Sequence, residues 1–115
     1  MYAEIRNIEA NDIPSWPDWS PPDPLCELQW FTVSIGPHGD PGCDYFQVAV
    51  ATPFGLKERR QKGKFAGLMV ERFEPKLVEA AIFDFVDQAR APTWQGIVEL
   101  LRKRMLWEYE GLHKQ

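Results

Sequence analysis

The sequence has few of the residues that metal binding and redox chemistry use. Its 115 residues include two cysteines and two histidines, and Cys26, Cys43, His38 and His113 lack the paired spacing of a tetrahedral zinc site. The motif for phosphate binding is missing as well, because no glycine-rich loop is followed by a lysine and a hydroxyl residue. We therefore expect neither a metal nor a cofactor.

Long apolar runs are also absent. No stretch could serve as the core of a signal peptide or as a membrane-spanning helix, so the sequence predicts a cytoplasmic protein with no membrane partner. In that reducing compartment we interpret the two cysteines as buried free thiols rather than a disulfide. With 44% hydrophobic and 26% charged residues and no internal repeat, residues 1–115 are predicted to form a single domain.

The net charge of −4 is unevenly distributed along the chain. Residues 1–54 contain eight carboxylates against a single base, a net charge of −7, whereas residues 55–115 contain 12 bases against nine carboxylates, a net charge of +3. Such a charge asymmetry indicates what the protein binds rather than how it folds, because the electrostatic field of all its charges steers association with a partner. The acidic half should repel nucleic acid and attract a basic surface, and the alternative is a role in solubility alone.

The first half of the chain is predicted to be β-structure. Residues 2–8 suit a short strand, and residues 26–35 alternate as a longer strand, with Trp30 at what we interpret as a core-facing position. Residues 36–42 are rich in glycine and proline and predict a turn, after which residues 45–52 return as an antiparallel partner with an acidic hairpin tip. Five prolines between the first two strands exclude a helix there, so that loop should be pinned by its two tryptophans, Trp16 and Trp19.

The second half is predicted to end in two helices. A basic segment over residues 56–64 suits a short helical turn or an exposed loop, and residues 65–73 suit another strand. Apolar residues then recur at helical spacing from Pro75 to Ala89, and again from Thr93 up to Trp107. The predicted fold class is α+β: an antiparallel sheet of about four strands with two C-terminal helices packed on one face.

Two other functions can be considered from the residue types. An enzyme or ligand-binding domain could use Cys43 as a nucleophile beside His38 and Asp40, although a hairpin loop with a cysteine at the strand end is the favoured explanation of their proximity. A nucleic-acid accessory role could use the basic run from Lys57 to Lys64, but the sequence pI of about 5.1 favours a solvated surface segment. The remaining carboxylates do not converge on an acid/base pair, so we expect no catalytic residues.

A protein-binding role accounts best for the acidic and aromatic residues that share the same segments. Tryptophan and tyrosine supply rigid contact area, and carboxylates accept hydrogen bonds from a partner's basic side chains while accelerating association. The residues predicted to bind a partner on this basis are Trp16, Asp18, Trp19, Asp23, Glu27, Asp40, Asp44, Glu108, Tyr109 and Glu110. For Trp94, as for Trp30, core packing is the favoured interpretation, and helical spacing could also bury Trp107.

The sequence resembles the bacterial immunity protein 8 family over most of its length. The resemblance is carried by Ala3-Glu4-Ile5 with Ile8, Trp19-Ser20-Pro21-Pro22-Asp23-Pro24, Ile35-Gly36-Pro37 with Gly39, Thr52-Pro53, Thr93-Trp94 and Trp107-Glu108-Tyr109-Glu110. It implies a non-enzymatic inhibitor that binds a cognate toxin domain of a polymorphic or contact-dependent inhibition system in the cytosol. If that toxin is a nuclease, the acidic half could occupy its basic cleft as a phosphate mimic.

Overall fold

The structure, a computed structural model, describes residues 1–59 and 65–110. Its elements in chain order are β1 (Ala3–Ala10), β2 (Leu28–Pro37), β3 (Asp44–Ala51), α1 (Pro53–Glu58), β4 (Leu68–Met69), α2 (Pro75–Asp87), α3 (Trp94–Leu101) and β5 (Leu106–Trp107). The predicted α+β class is confirmed, with α2 and α3 contributing to the core on one face of the sheet. None of the described helices is long and apolar enough to cross a membrane.

The sheet is mixed rather than wholly antiparallel. β2 pairs antiparallel with β1 on one side and with β3 on the other. The free edge of β3 then takes two short strands, β4 in parallel and β5 antiparallel. The prediction of an all-antiparallel sheet is wrong at β4, because α1 follows β3 directly and a helical crossover returns the chain in the direction of the strand it left.

The strand predicted over residues 65–73 is reduced to the two residues of β4. Gly67 crosses the backbone of Ala49 so closely that a Cβ at this glycine would lie 2.2 Å from the Ala49 carbonyl oxygen. Shortly after β4 the chain leaves the sheet, and the backbone N–H of Phe73 donates to the carbonyl of Pro24. This segment therefore connects the sheet to the proline-rich loop instead of extending the sheet.

The helices begin where caps and prolines place them, but one ends earlier than predicted. The Thr52 side chain caps α1 by accepting a hydrogen bond from the Gly55 N–H at 3.0 Å. This helix therefore starts before the segment 56–64 that was predicted as a helical turn or loop. Residues 60–64 of that segment lie outside the described residues. Pro75 opens α2 as predicted. Helix α3 ends at Leu101 rather than near Trp107, because Leu106 and Trp107 pair with β3 as a strand.

The core lies between one face of the sheet and the helices α2 and α3. Its fully buried members include Phe31, Val33, Ile35, Phe46, Val48, Val50, Val78, Ile82, Ile97, Val98 and Leu101. The opposite face, which we call the open face, carries Trp30, Thr32, Ser34, Tyr45 and Gln47. Helix α1 covers one end of it, where Leu56 packs against Leu28 and Ala51.

Trp30 does not occupy the core position that its spacing predicted. It lies on the open face and is 39% exposed, because strand alternation puts it opposite Phe31 and the helices cover the Phe31 side. Trp94 is half-buried against the core, as predicted. Trp107 is buried, but through strand pairing with Phe46 rather than through a helix.

Candidate interaction surfaces

The ten predicted binding residues fall into two groups at opposite ends of the sheet. Residues 11–27 join β1 to β2 at one end, which we call the loop end, and residues 38–43 form the turn at the other, the hairpin end. Between them runs β2, whose ten residues span about 30 Å. Asp18, Asp23 and Glu27 are thus separated from Asp40 and Asp44.

At the hairpin end, Asp44 binds two tryptophans of the same chain. Its Oδ2 accepts a hydrogen bond from the indole Nε1 of Trp94 at 3.2 Å and another from that of Trp107 at 3.0 Å. This carboxylate therefore joins the start of β3 to α3 and β5. Asp40 is more exposed, and its Oδ1 accepts from the Gly42 N–H at 2.7 Å within the turn.

The C-terminal acidic residues are also engaged within the fold. Glu108 Oε1 accepts from the backbone N–H of Tyr45 at 3.1 Å. Glu110 receives two hydrogen bonds from the Arg102 guanidinium, at 2.6 and 2.9 Å, and these bonds raise the pKa of Arg102. Tyr109 stands edge-on against Trp107, with 5.0 Å between ring centroids, while the tyrosine remains 41% exposed.

The residues of the alternative nucleophilic site contact other groups. His38 Nδ1 lies 2.9 Å from Glu4 Oε2, and its ring stacks on Tyr2 at 4.6 Å between centroids. The hydrogen bond from His38, with Arg6 adding an opposite charge, lowers the pKa of Glu4. Cys43 is exposed, which corrects the prediction of a buried thiol, because it lies in the turn beyond the end of β2.

At the loop end, both tryptophans pack onto Phe73 and pin the proline-rich loop as predicted. Their rings meet Phe73 edge-on, at 6.4 Å for Trp16 and 6.1 Å for Trp19, and Trp16 also meets Phe31 at 4.9 Å. The indole Nε1 of Trp16 donates to Glu79 Oε2 of α2 at 3.1 Å. Half-buried in this way, the two tryptophans support the loop from beneath.

The carboxylates of the loop end face solvent or an open cleft. Asp18 and Asp23 are exposed, and Asp23 Oδ1 accepts from the Leu25 N–H at 2.9 Å. Glu27 is half-buried and lies 3.7 Å from Arg59. Within the described part of the chain, Asp18 and Asp23 have no cationic side chain in ion-pairing distance, so their charges are not neutralised by a neighbour.

The open cleft beside these carboxylates combines acidic and apolar walls. It measures about 630 Å³ and is lined by Asp23, Leu25, Cys26, Phe54, Lys57 and Glu58. Phe54 is 62% exposed and Leu25 43% exposed. Burial first, and then the charges of Glu58, Asp23 and Glu27, raise the pKa of the Cys26 thiol, while the charge of Arg59 opposes this shift.

Sequence reasoning missed the cleft residues Leu25, Phe54 and Glu58. The available signal was an apolar residue directly after a proline, in Pro24-Leu25 and in Pro53-Phe54, outside any strand or helix periodicity. Of the basic run, Lys57 lines the cleft and Arg59 donates to the Leu28 carbonyl at 3.2 Å, whereas Arg60, Lys62 and Lys64 lie outside the described residues. Among residues 1–59 and 65–110 no cluster of three ligands could hold a metal ion.

Comparison with known sequences identifies one family. The family model described as Immunity protein 8 matches residues 3–112, nearly the whole chain. No curated protein and no solved structure matches the chain.

Proposed function

The chain belongs to the immunity protein 8 family, and on that basis we propose that it binds a cognate toxin domain in the cytoplasm and blocks its active site or substrate path. The chain acts as the immunity component of a toxin system and inhibits by occupancy, without catalysis of its own. The toxin is of the polymorphic type, as in contact-dependent inhibition, and its catalytic domain is a nuclease.

The observation that carries this proposal is the composition of the loop end. Asp18 and Asp23 are exposed and have no cationic side chain in ion-pairing distance among the described residues, and Asp23 lines the cleft together with the exposed side chains of Leu25 and Phe54. Protein interfaces combine apolar anchors with a polar rim in this way. The supporting tryptophans Trp16 and Trp19 hold the loop in place, so that little ordering is required on binding.

A nuclease is the toxin class that fits this surface by charge. A nucleic-acid cleft is basic because it neutralises phosphates, and a rigid acidic surface attracts it at long range and then fills it. The same charges repel nucleic acid, so we expect no direct binding of RNA or DNA. At the hairpin end Asp40, Glu108 and Tyr109 remain partly exposed and could form a minor rim, while Asp44 and Glu110 serve the fold.

The test is toxin binding by the double variant Asp18→Asn with Asp23→Asn. Asparagine at position 23 keeps an oxygen acceptor for the Leu25 N–H, so stability should not change. Binding to the toxin domain should weaken roughly tenfold at low salt, since each exposed charge pair contributes about 0.2–1 kcal/mol. The difference in toxin affinity between the double variant and the wild type should shrink at about 1 M salt, where the Debye length falls to about 3 Å.

A matched control changes the net charge equally at another place. Asp84→Asn with Asp87→Asn removes two exposed carboxylates of α2 and should leave toxin affinity within twofold of the wild type. Equal losses in both double variants, or a loss that does not depend on salt, would contradict a located acidic contact. A Cys43→Ala chain should protect cells fully, and loss of protection would favour the nucleophilic alternative.

A further inference from the structure

A groove on the open face has the character of an anchor site. It holds about 250 Å³ and is lined by Leu28, Trp30, Ala49, Phe65 and Leu106 on its apolar walls, with Arg104 at its edge. Pockets for small ligands are typically about 300–1,000 Å³. The groove is therefore suited to one side chain of a partner protein rather than to a free ligand.

Trp30 differs from three of the other four tryptophans in its hydrogen bonding. Trp16, Trp94 and Trp107 each donate their indole N–H to a carboxylate of this chain. In residues 1–59 and 65–110 the N–H of Trp30 has no acceptor, and its ring is 39% exposed. Leu106, across the groove, is 53% exposed. Two large, partly exposed apolar side chains, one of which carries an indole donor, thus line the same groove.

The charge at the edge of the groove is positive. Arg104 donates to the Phe65 carbonyl at 3.5 Å, and no carboxylate of the described residues pairs with it. The neighbouring Arg102 is instead occupied by Glu99 and Glu110. An occupant that complements this edge carries an acceptor, best a carboxylate, close to its apolar side chain.

A second copy of this chain is a poor occupant. A two-fold symmetric dimer would place this positively charged patch against its own copy, and none of the described residues that line the groove is a carboxylate that could complement Arg104. The groove instead adjoins the loop end, because its wall residue Leu28 directly follows Glu27, and Arg59 lies 3.7 Å from the Glu27 carboxylate and donates to the Leu28 carbonyl. A single partner can therefore cover both.

We propose that the Trp30 groove receives one aromatic or long aliphatic side chain of the toxin domain, with a toxin carboxylate beside Arg104 and an acceptor for the Trp30 N–H. This inference rests on the proposed function. It predicts that the contact surface of the toxin is basic where it meets the loop end and acidic where it meets the groove. Two contacts of opposite charge allow the toxin to bind in one orientation.

The experiment measures binding of the full chain to the C-terminal toxin domain encoded beside it, at about 0.05 M and about 1 M salt. Trp30→Ala should weaken binding roughly thirtyfold or more, as expected for a central aromatic anchor, and equally at both salt concentrations. Trp30→Phe keeps an aromatic ring but removes the N–H donor, so its affinity for the toxin domain should fall only a few-fold. This variant also tests the groove if Trp30→Ala does not fold stably. Arg104→Gln should weaken binding only at low salt.

Tyr45→Ala is the matched control, because Tyr45 is an exposed aromatic residue of the same face outside the groove. Its toxin affinity should stay within twofold of the wild type. If the wild type binds and both Trp30→Ala and Arg104→Gln bind as tightly, the groove inference is overturned while the proposed function stands. If the wild type does not bind the toxin domain, both fail. Self-association of the wild type that Trp30→Ala abolishes would assign the groove to a second copy and overturn the inference.

Discussion

The loop end and the hairpin end contain the same residue types and use them in different ways. At the hairpin end the Asp44 carboxylate is bound by two indole N–H groups, so acid and aromatic residues satisfy each other inside the fold. At the loop end the tryptophans pack on Phe73, and Asp18 and Asp23 are left facing solvent. A mixture of acidic and aromatic residues in a sequence therefore does not by itself indicate a binding surface, because the fold can use the carboxylates as acceptors for its own indole N–H groups.

The largest effect should follow from removing the carboxylate of the hairpin end. Asp44→Ala leaves the indole donors of Trp94 and Trp107 without their acceptor, and we expect the free energy of unfolding to fall by about 3 kcal/mol. Denaturant unfolding measures this loss. Asp44→Asn keeps an oxygen acceptor and should recover part of it, while Asp18→Ala at the loop end should change stability by less than about 0.5 kcal/mol. Equal losses at positions 44 and 18 would abolish the distinction between the two ends.

The next effect should come from the contact that supports the cleft. A Cβ at Gly55 would lie 2.1 Å from the Glu27 carbonyl oxygen, so Gly55→Ala forces α1 away from the start of β2. We expect a loss of about 2 kcal/mol, in the range for overpacked sites. Thermal unfolding of both variants measures this loss. Gly42→Ala in the hairpin turn is the control, because the nearest atom to its Cβ is a side-chain oxygen at 3.2 Å, and it should leave the free energy of unfolding nearly unchanged.

A smaller effect is expected where the loop end does use a carboxylate internally. Glu79→Ala removes the acceptor of the Trp16 N–H and should cost about 1 kcal/mol. Asp84→Ala, an exposed acid of the same helix, should cost less than half as much. Because Trp16 would still pack on Phe31 and Phe73, the loop should stay ordered by its aromatic contacts, which near-ultraviolet circular dichroism can follow.

The smallest effect concerns pH, at the ion pair beside the hairpin end. The hydrogen bond from His38, aided by Arg6, holds the pKa of Glu4 below its ordinary value of 4.5, so the folded state favours the charged carboxylate. That contribution to stability is complete above pH 4.5 and is lost as pH falls through the lowered pKa. Glu4→Gln should melt slightly below the wild type at neutral pH and together with it near pH 2. A difference in melting temperature that persists near pH 2 would show that the effect does not come from the charge of Glu4.

Local chemistry made much of the fold predictable. The alternation of β2 and β3 located both strands to within about two residues, because a strand between a helical layer and solvent must alternate. Thr93 and Pro75 marked the starts of α3 and α2, since a cap or a first-turn proline acts within four residues. The two anchoring tryptophans of the proline-rich loop were likewise predictable, because a loop of that length needs buried apolar groups.

Long-range pairing was the part that sequence could not supply. The partners of Asp44 lie 50 and 63 residues away, and no local pattern distinguishes a carboxylate that will meet an indole from one that will meet water. β5 has only two residues, too few to show the alternation of a strand, so the helical spacing of the preceding residues was extended through it. Trp30 shows a third limit: alternation assigned it to one of two faces, but which face the helices cover is settled by tertiary packing.

The tryptophan–carboxylate bonds also bear on how the chain folds. Trp16 meets Glu79 at one end and Asp44 meets Trp107 at the other, and each bond closes a separation of 63 residues. Closing such loops costs chain entropy before any contact is gained, so neither end can be completed by a local hairpin. The two ends should therefore lose protection against hydrogen exchange in one cooperative opening, and a toxin bound to the loop end would slow exchange at the hairpin end as well.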